Sequence, residues 1–157
     1  MLNVVPSPSL AEGTIKYKSH QIANLCSLKI PEFLNPFRCD IFRAISEDGL
    51  TELSVTIFEK PYCNEVLNAS FLKQLKAHQL VNSDFSTPSL QSTYKITDNY
   101  LTTSFNLDNE IQYNLTSTKV VNNRLMLCEI IYCQHGSCFD SDSFQVLENI
   151  NNSIQFH

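Results

Sequence analysis

One short stretch, LCEIIYCQHGSCFDSD, gathers the residues best suited to chemistry: Cys128, Cys133, His135 and Cys138. A thiol beside an imidazole becomes a nucleophile when its pKa is lowered, and Cys with His can also hold zinc. The spacing speaks against both. Four residues separate each consecutive pair of these cysteines, and no second ligand pair of the kind a zinc knuckle has stands behind them. Cys128 lies between Leu127 and Ile130-Ile131, where core packing is the simpler role, and strand alternation puts Cys128 and Cys133 on opposite faces. A Cys133–Cys138 disulfide closing Gln134-His-Gly-Ser137 is a better expectation than either active site, in an oxidising compartment. Inert thiols are expected ahead of that bridge, and the even total of six cysteines leaves both open.

Other catalytic signatures are missing. Three glycines (Gly13, Gly49, Gly136) leave no phosphate-cradling Gly-rich loop. There is no Gly-x-Ser-x-Gly elbow and no His-Glu-x-x-His helix. The carboxylate pairs Glu47-Asp48, Asp108/Glu110 and Asp140/Asp142 fall in turn-like or capping positions, where carboxylates serve the local backbone. The sequence therefore predicts a binding protein, not an enzyme, with no cofactor and no metal.

The elements that would position a binding site are legible from periodicity. The 157-residue chain fits one domain, with residues 1–13 (two prolines, then Glu12-Gly13) as a flexible arm and 14–157 as the domain. Residues 14–29 predict one or two short strands, and Pro31 and Pro36 bracket a loop pinned by Phe33, Leu34 and Phe37. Residues 39–45 and 50–59 read as a hairpin about Ser46-Glu-Asp-Gly49, with Leu53, Val55 and Ile57 on one face and Ser54, Thr56 and Phe58 on the other. Near residues 68–80 the period changes: Phe71, Leu72 and Leu75 recur at helical spacing, opposite Lys73, Gln74 and Lys76. Strand-like runs follow at 93–97, 100–107, 111–120 and 124–133, separated by Asn- and Asp-rich turns, as in an antiparallel meander. A last helix carries Phe144, Leu147, Ile150 and Ile154 on one face, with Asp142 and Gln145 in capping-box positions. The expectation is an α+β domain, an antiparallel sheet of about six strands with two helices on one face.

Charge narrows the partner. A net charge of −5 with scattered basic residues excludes a nucleic-acid backbone. The densest basic group, Lys73, Lys76 and His78, reads as a solvated helix face. No apolar run is long enough to cross a bilayer, so no direct membrane insertion is expected. The start MLNVVPSPSLAEG lacks the basic-then-apolar order of a signal peptide, which predicts a cytoplasmic protein, or a periplasmic one if a signal was removed. Sequons at Asn68, Asn114 and Asn151 carry little weight in a chain rich in Asn and Ser.

In order and texture, LKIPEFLNPFRCDIFRAI, GLTELSVTIFEK, FLKQLKAHQL with VNSDFS, and FDSDSFQVLENINNSIQF resemble the PsbP-like α/β sandwich superfamily. Within it they are similar to the DcrB-like branch, which includes the Eag-type chaperones of bacterial type VI secretion. The likeness covers roughly residues 22–157 and implies a protein-binding adaptor or chaperone for a secreted effector, whose sheet face away from the helices receives apolar helices of a client. An immunity protein neutralising a toxin and a periplasmic DcrB-like protein are the alternatives, and a homodimer is left open. The residues expected on the receiving face are Ser54, Thr56 and Phe58, joined by Tyr100, Phe105 and Tyr113 from the meander, a hydroxyl–aromatic mixture suited to packing and hydrogen bonding.

Overall fold

The computed structural model describes residues 15–37, 42–60, 91–96, 100–107, 109–122 and 124–157. These hold ten strands and one helix, an α+β arrangement built on antiparallel sheets. The helix expected at residues 68–80 and the arm at 1–13 lie outside the described residues.

The larger sheet has seven strands. β3 (Leu34–Phe37), β4 (Phe42–Ser46) and β5 (Thr51–Lys60) lead to its centre, and β6 (Gln91–Ile96), β7 (Tyr100–Leu107), β8 (Glu110–Val121) and β9 (Arg124–His135) form the meander. The order is β3-β4-β5-β9-β8-β7-β6. The last strand of the meander thus returns beside the β4–β5 hairpin, with Val55 opposite Ile130 and Leu115 opposite Ile130 on its other side. A second sheet of three strands, β1 (Tyr17–Ile22), β2 (Cys26–Pro31) and β10 (Gln155–Phe156), takes the order β1-β2-β10. Helix α1 (Ser143–Ser153) precedes β10.

Turn chemistry sets the registers. In the β4–β5 hairpin Gly49 sits at φ +75° and its N–H reaches the Ser46 carbonyl at 3.0 Å. The Asp48 carboxylate accepts the Ser46 hydroxyl at 2.7 Å and the Leu50 N–H at 2.9 Å. Those two bonds, the Leu50 one foremost, hold the Asp48 carboxyl below the usual carboxylate range. Asn109 (φ +57°) and Asn122 (φ +53°) take the left-handed positions of the meander turns, which asparagine tolerates better than most residues.

Alternation along each strand gives the large sheet two different faces. Its inner face carries Ala44, Leu53, Val55, Ile111, Tyr113, Leu115, Cys128, Ile130 and Tyr132, all buried. Cys26, Leu28 and Ile30 of β2 and Phe144, Val146, Leu147 and Ile150 of α1 join them in one core. Each such aliphatic or aromatic side chain contributes about 1.5–3 kcal/mol by leaving water. Helix and small sheet share the layer above the inner face. The Ser117 hydroxyl donates to Asn151 Oδ1 at 2.8 Å, Lys119 Nζ donates to the Asn151 carbonyl at 3.3 Å, and Asn149 donates to the Tyr17 hydroxyl at 3.1 Å.

The structure corrects several local expectations. Pro31 and Pro36 do not bracket a loop: Leu34–Phe37 is a strand, tolerated with Pro36 because β3 is a sheet edge, where a missing N–H costs no ladder bond. Among the described residues the strands number ten in two sheets, not about six in one: the hairpin at 17–31 recruits residues 155–156 into a separate three-stranded sheet. Ile154 is not helical; it turns the chain into β10, and Ser153 Oγ accepts the Lys29 N–H at 2.8 Å beyond the short β10 pairing. The capping box is also absent. Asp142 has helical dihedrals and no side-chain cap bond, while Asp140 receives the Asp142 N–H at 3.0 Å and Gln145 donates to Asn149.

Candidate functional site

The Cys/His stretch comes apart across the sheet. Cys128 is buried on the inner face, Cys133 is half-buried on the outer face, and Cys138 is exposed in the loop before α1. With Cys26 these four are free thiols, so the Cys133–Cys138 bridge is not formed. Burial pushes Cys128 up to about 11. Burial, joined by the Glu110 and Glu52 carboxylates, pushes Cys133 up to about 12. His135 turns its ring to those carboxylates instead, with Nε2 3.6 Å from Glu52 and Nδ1 3.5 Å from Glu110. A thiol ringed by anions stays protonated at neutral pH, the opposite of what a cysteine nucleophile needs. Among the described residues no group of three His, Cys, Asp or Glu is placed to hold a metal ion.

The six residues expected to share a receiving face do not share one. Cross-strand register puts Ser54, Thr56, Phe58 and Phe105 on the outer face. Tyr100 and Tyr113 lie on the inner face, opposite Ser117 and Tyr132 respectively. Tyr113 is 0% exposed. It meets Phe144 edge-on at 5.3 Å, Phe139 lies tilted against it at 5.9 Å, and its hydroxyl accepts the Asp140 N–H at 2.9 Å. Tyr113 is thus a core residue that anchors the entry to α1. The expectation failed there because a β8 aromatic can be assigned to a face only once its register against β9 is known.

What the outer face does present is graded. At the β3–β4–β5 side Phe37 and Phe58 are 45% and 42% exposed, and Arg43 is exposed beside half-buried Ile45, Ser54 and Thr56. On β9 the outward residues Glu129, Ile131 and Cys133 are half-buried, while Leu125 and Leu127, the latter opposite Phe58, are buried. Toward β7 and β8 the face closes, with Leu101, Thr103, Asn114 and Thr116 all buried. Two rows cross the face: Arg43–Ser54–Ile131–Asn114–Thr103 and Thr56–Glu129–Thr116–Leu101. Sequence reading missed Phe37, Arg43, Ile45, Glu129 and Ile131. The signal that finds Glu129 and Ile131 is the odd-numbered set of β9, offset by one from Cys128, Ile130 and Tyr132; Phe37, Arg43 and Ile45 follow only from the pairing of β3, β4 and β5.

A pocket of about 560 Å³ opens beside the β4–β5 turn, lined among others by Glu32, Phe33, Asn35 and Asp48. Asp48 is already committed to the turn itself. Two of the sequons are structural: Asn114 is buried in the sheet, and Asn151 is 3% exposed with its amide oxygen bonded to Ser117. No helix among the described residues is long and apolar enough to cross a membrane.

No protein-family model matches the chain, and no curated protein matches it. Among solved structures, a crystal structure from Bacteroides thetaiotaomicron VPI-5482 at 1.50 Å is 14% identical with a TM-score of 0.43. The match covers 84% of this chain and 45% of that one, so the chain spans under half of that protein's length.

Proposed function

We propose that the protein is a binding module, an adaptor or chaperone for another protein, which it engages through the outer face of β4, β5 and β9. The finer reading of the fold, a PsbP-like sandwich of the DcrB-like branch, belongs to the same proposal. So does a secreted effector as client. One observation carries it: large apolar side chains stand on this face in the open, Phe58 at 42% and Phe37 at 45% exposure, with Ser54 and Thr56 hydroxyls between the strands. An aromatic ring left partly exposed gains stability when a partner buries it, and neighbouring hydroxyls can satisfy the partner's polar groups.

The thiol chemistry supports binding over catalysis. Cys133, the thiol nearest His135, is pushed up to about 12 by burial and its two glutamates. The experiment is a paired capture from the native lysate with wild type and Phe58→Asp, folding being checked by circular dichroism and thermal melting. The reading expects a protein retained by the wild type and lost by a variant that melts within a few degrees of it. Identical captured sets from two folded proteins would contradict it.

A further inference from the structure

We infer that the occupant of this face is a basic amphipathic segment of another protein, apolar on one side and bearing Lys or Arg on the other. This rests on the reading that the outer face binds protein, and adds the chemistry of the partner.

The charges on the face carry the inference. Its outward carboxylates are Glu52 on β5, Glu129 on β9 and Glu110 on β8, against the exposed guanidinium of Arg43 on β4 and Lys60, which register places on the same face at the far end of β5 from Glu52. Glu52 and Glu110 share a single imidazole, His135, which brings at most one positive charge to two negative ones. Glu129 has Thr56 and Thr116 as its cross-strand neighbours, and no Lys or Arg among the described residues forms an ion pair with it. A half-buried carboxylate between uncharged neighbours has lost part of its hydration and is stabilised by an incoming cation.

Phe58 and Ile131 stand on the same face, so a segment that seats apolar groups on them brings its flanking residues toward Glu129 and Glu52. A second copy of this chain fits poorly, since face-to-face pairing sets glutamates against glutamates in a protein of net charge −5. Nucleic acid and anionic lipid are repelled by the same charges. The overall negative field also speeds encounter with a basic partner.

The test uses three fluorescently labelled helical peptides of about five turns, alike in their Leu stripe and bearing Lys, Gln or Glu on the polar face. Binding is followed by anisotropy. The expected order is Lys tighter than Gln tighter than Glu, with roughly tenfold or more between the ends at low salt, shrinking as ionic strength rises from about 0.05 to 0.5 M. Glu129→Gln should weaken the Lys peptide about threefold and leave the Gln peptide unchanged, while Phe58→Ser should weaken both. Equal affinity for the three peptides overturns the inference, and so does Lys-peptide binding indifferent to both substitutions, which is attraction to net charge alone. If no peptide binds while lysate capture still depends on Phe58, the basic partner is wrong and the binding reading stands. If capture ignores Phe58 as well, both fall.

Discussion

The two faces of the seven-stranded sheet share a backbone and differ in what their side chains must do. Ile130 and Ile131 are chain neighbours. Ile130 is wholly buried in the core beneath β2 and α1, while Ile131 points the other way and keeps part of its surface. The inner face is apolar along β5 and β9 and meets α1 through a few fixed bonds, such as Ser117 to Asn151. The outer face mixes hydroxyls, amides and glutamates with Phe37 and Phe58, and stays open at the β3–β4–β5 side. A sheet stabilised on one side by a dry core can leave part of the other, here the β3–β4–β5 side, as a surface that packing fills less completely. That freedom is where function can be written.

The contrast predicts very unequal costs of substitution. Tyr113→Ala should cost about 3–5 kcal/mol, since it leaves a cavity against Phe144 and frees the Asp140 N–H. Phe58→Ser should cost within about 1 kcal/mol by chemical denaturation. Similar costs at both positions would erase the distinction between the faces.

Asn151→Ala sharpens the account of the inner face. It strands the buried Ser117 hydroxyl and should cost about 1–3 kcal/mol, much of it recovered by adding Ser117→Ala. If the double variant is no better than the single, the bond is not what Asn151 contributes.

Thiol reactivity separates the same surfaces kinetically. With Cys39 and Cys63 replaced by serine, Cys138 should react first with an aromatic disulfide reagent near pH 8. Cys133, pushed up to about 12, should be slow, and Cys26 and Cys128 should wait for unfolding. Mass spectrometry of the partly labelled protein gives the order, and prompt labelling of Cys133 would contradict its acidic surroundings.

The smallest effect is at the β4–β5 turn. The Asp48 carboxyl is held below its unfolded value by the Leu50 N–H and the Ser46 hydroxyl. Its contribution is therefore complete above the unfolded carboxylate pKa, about 3.9, and is lost as pH falls through the folded value. Asp48→Asn should lower the plateau above about pH 6 slightly and make the acid limb of a stability–pH curve shallower, the two curves converging in acid. A wild-type-like acid limb would mean the turn carboxylate contributes nothing there.

Much of the fold is legible in the sequence because its signals are local. The β5 alternation, Gly49 and the asparagine turns specify the hairpin and meander nearly to the residue. What was not legible depends on distant pairing. Leu34–Phe37 becomes a strand only because β4 lies beside it, and Gln155–Phe156 only because Cys26 and Ser27 do. The candidate site divides in the same way. Ser54, Thr56 and Phe58 were assigned to a common face correctly from their own strand's period. Tyr100 and Tyr113 were misplaced because relative register across β7, β8 and β9 is a tertiary property.

The most direct test follows the isoleucine methyl groups by NMR while the Lys-bearing amphipathic peptide is titrated into the protein. The account predicts that Ile45 and Ile131 shift progressively while Ile30, Ile111 and Ile130 hold still. Shifts concentrated at Ile111 and Ile130, with Ile131 unmoved, would contradict it.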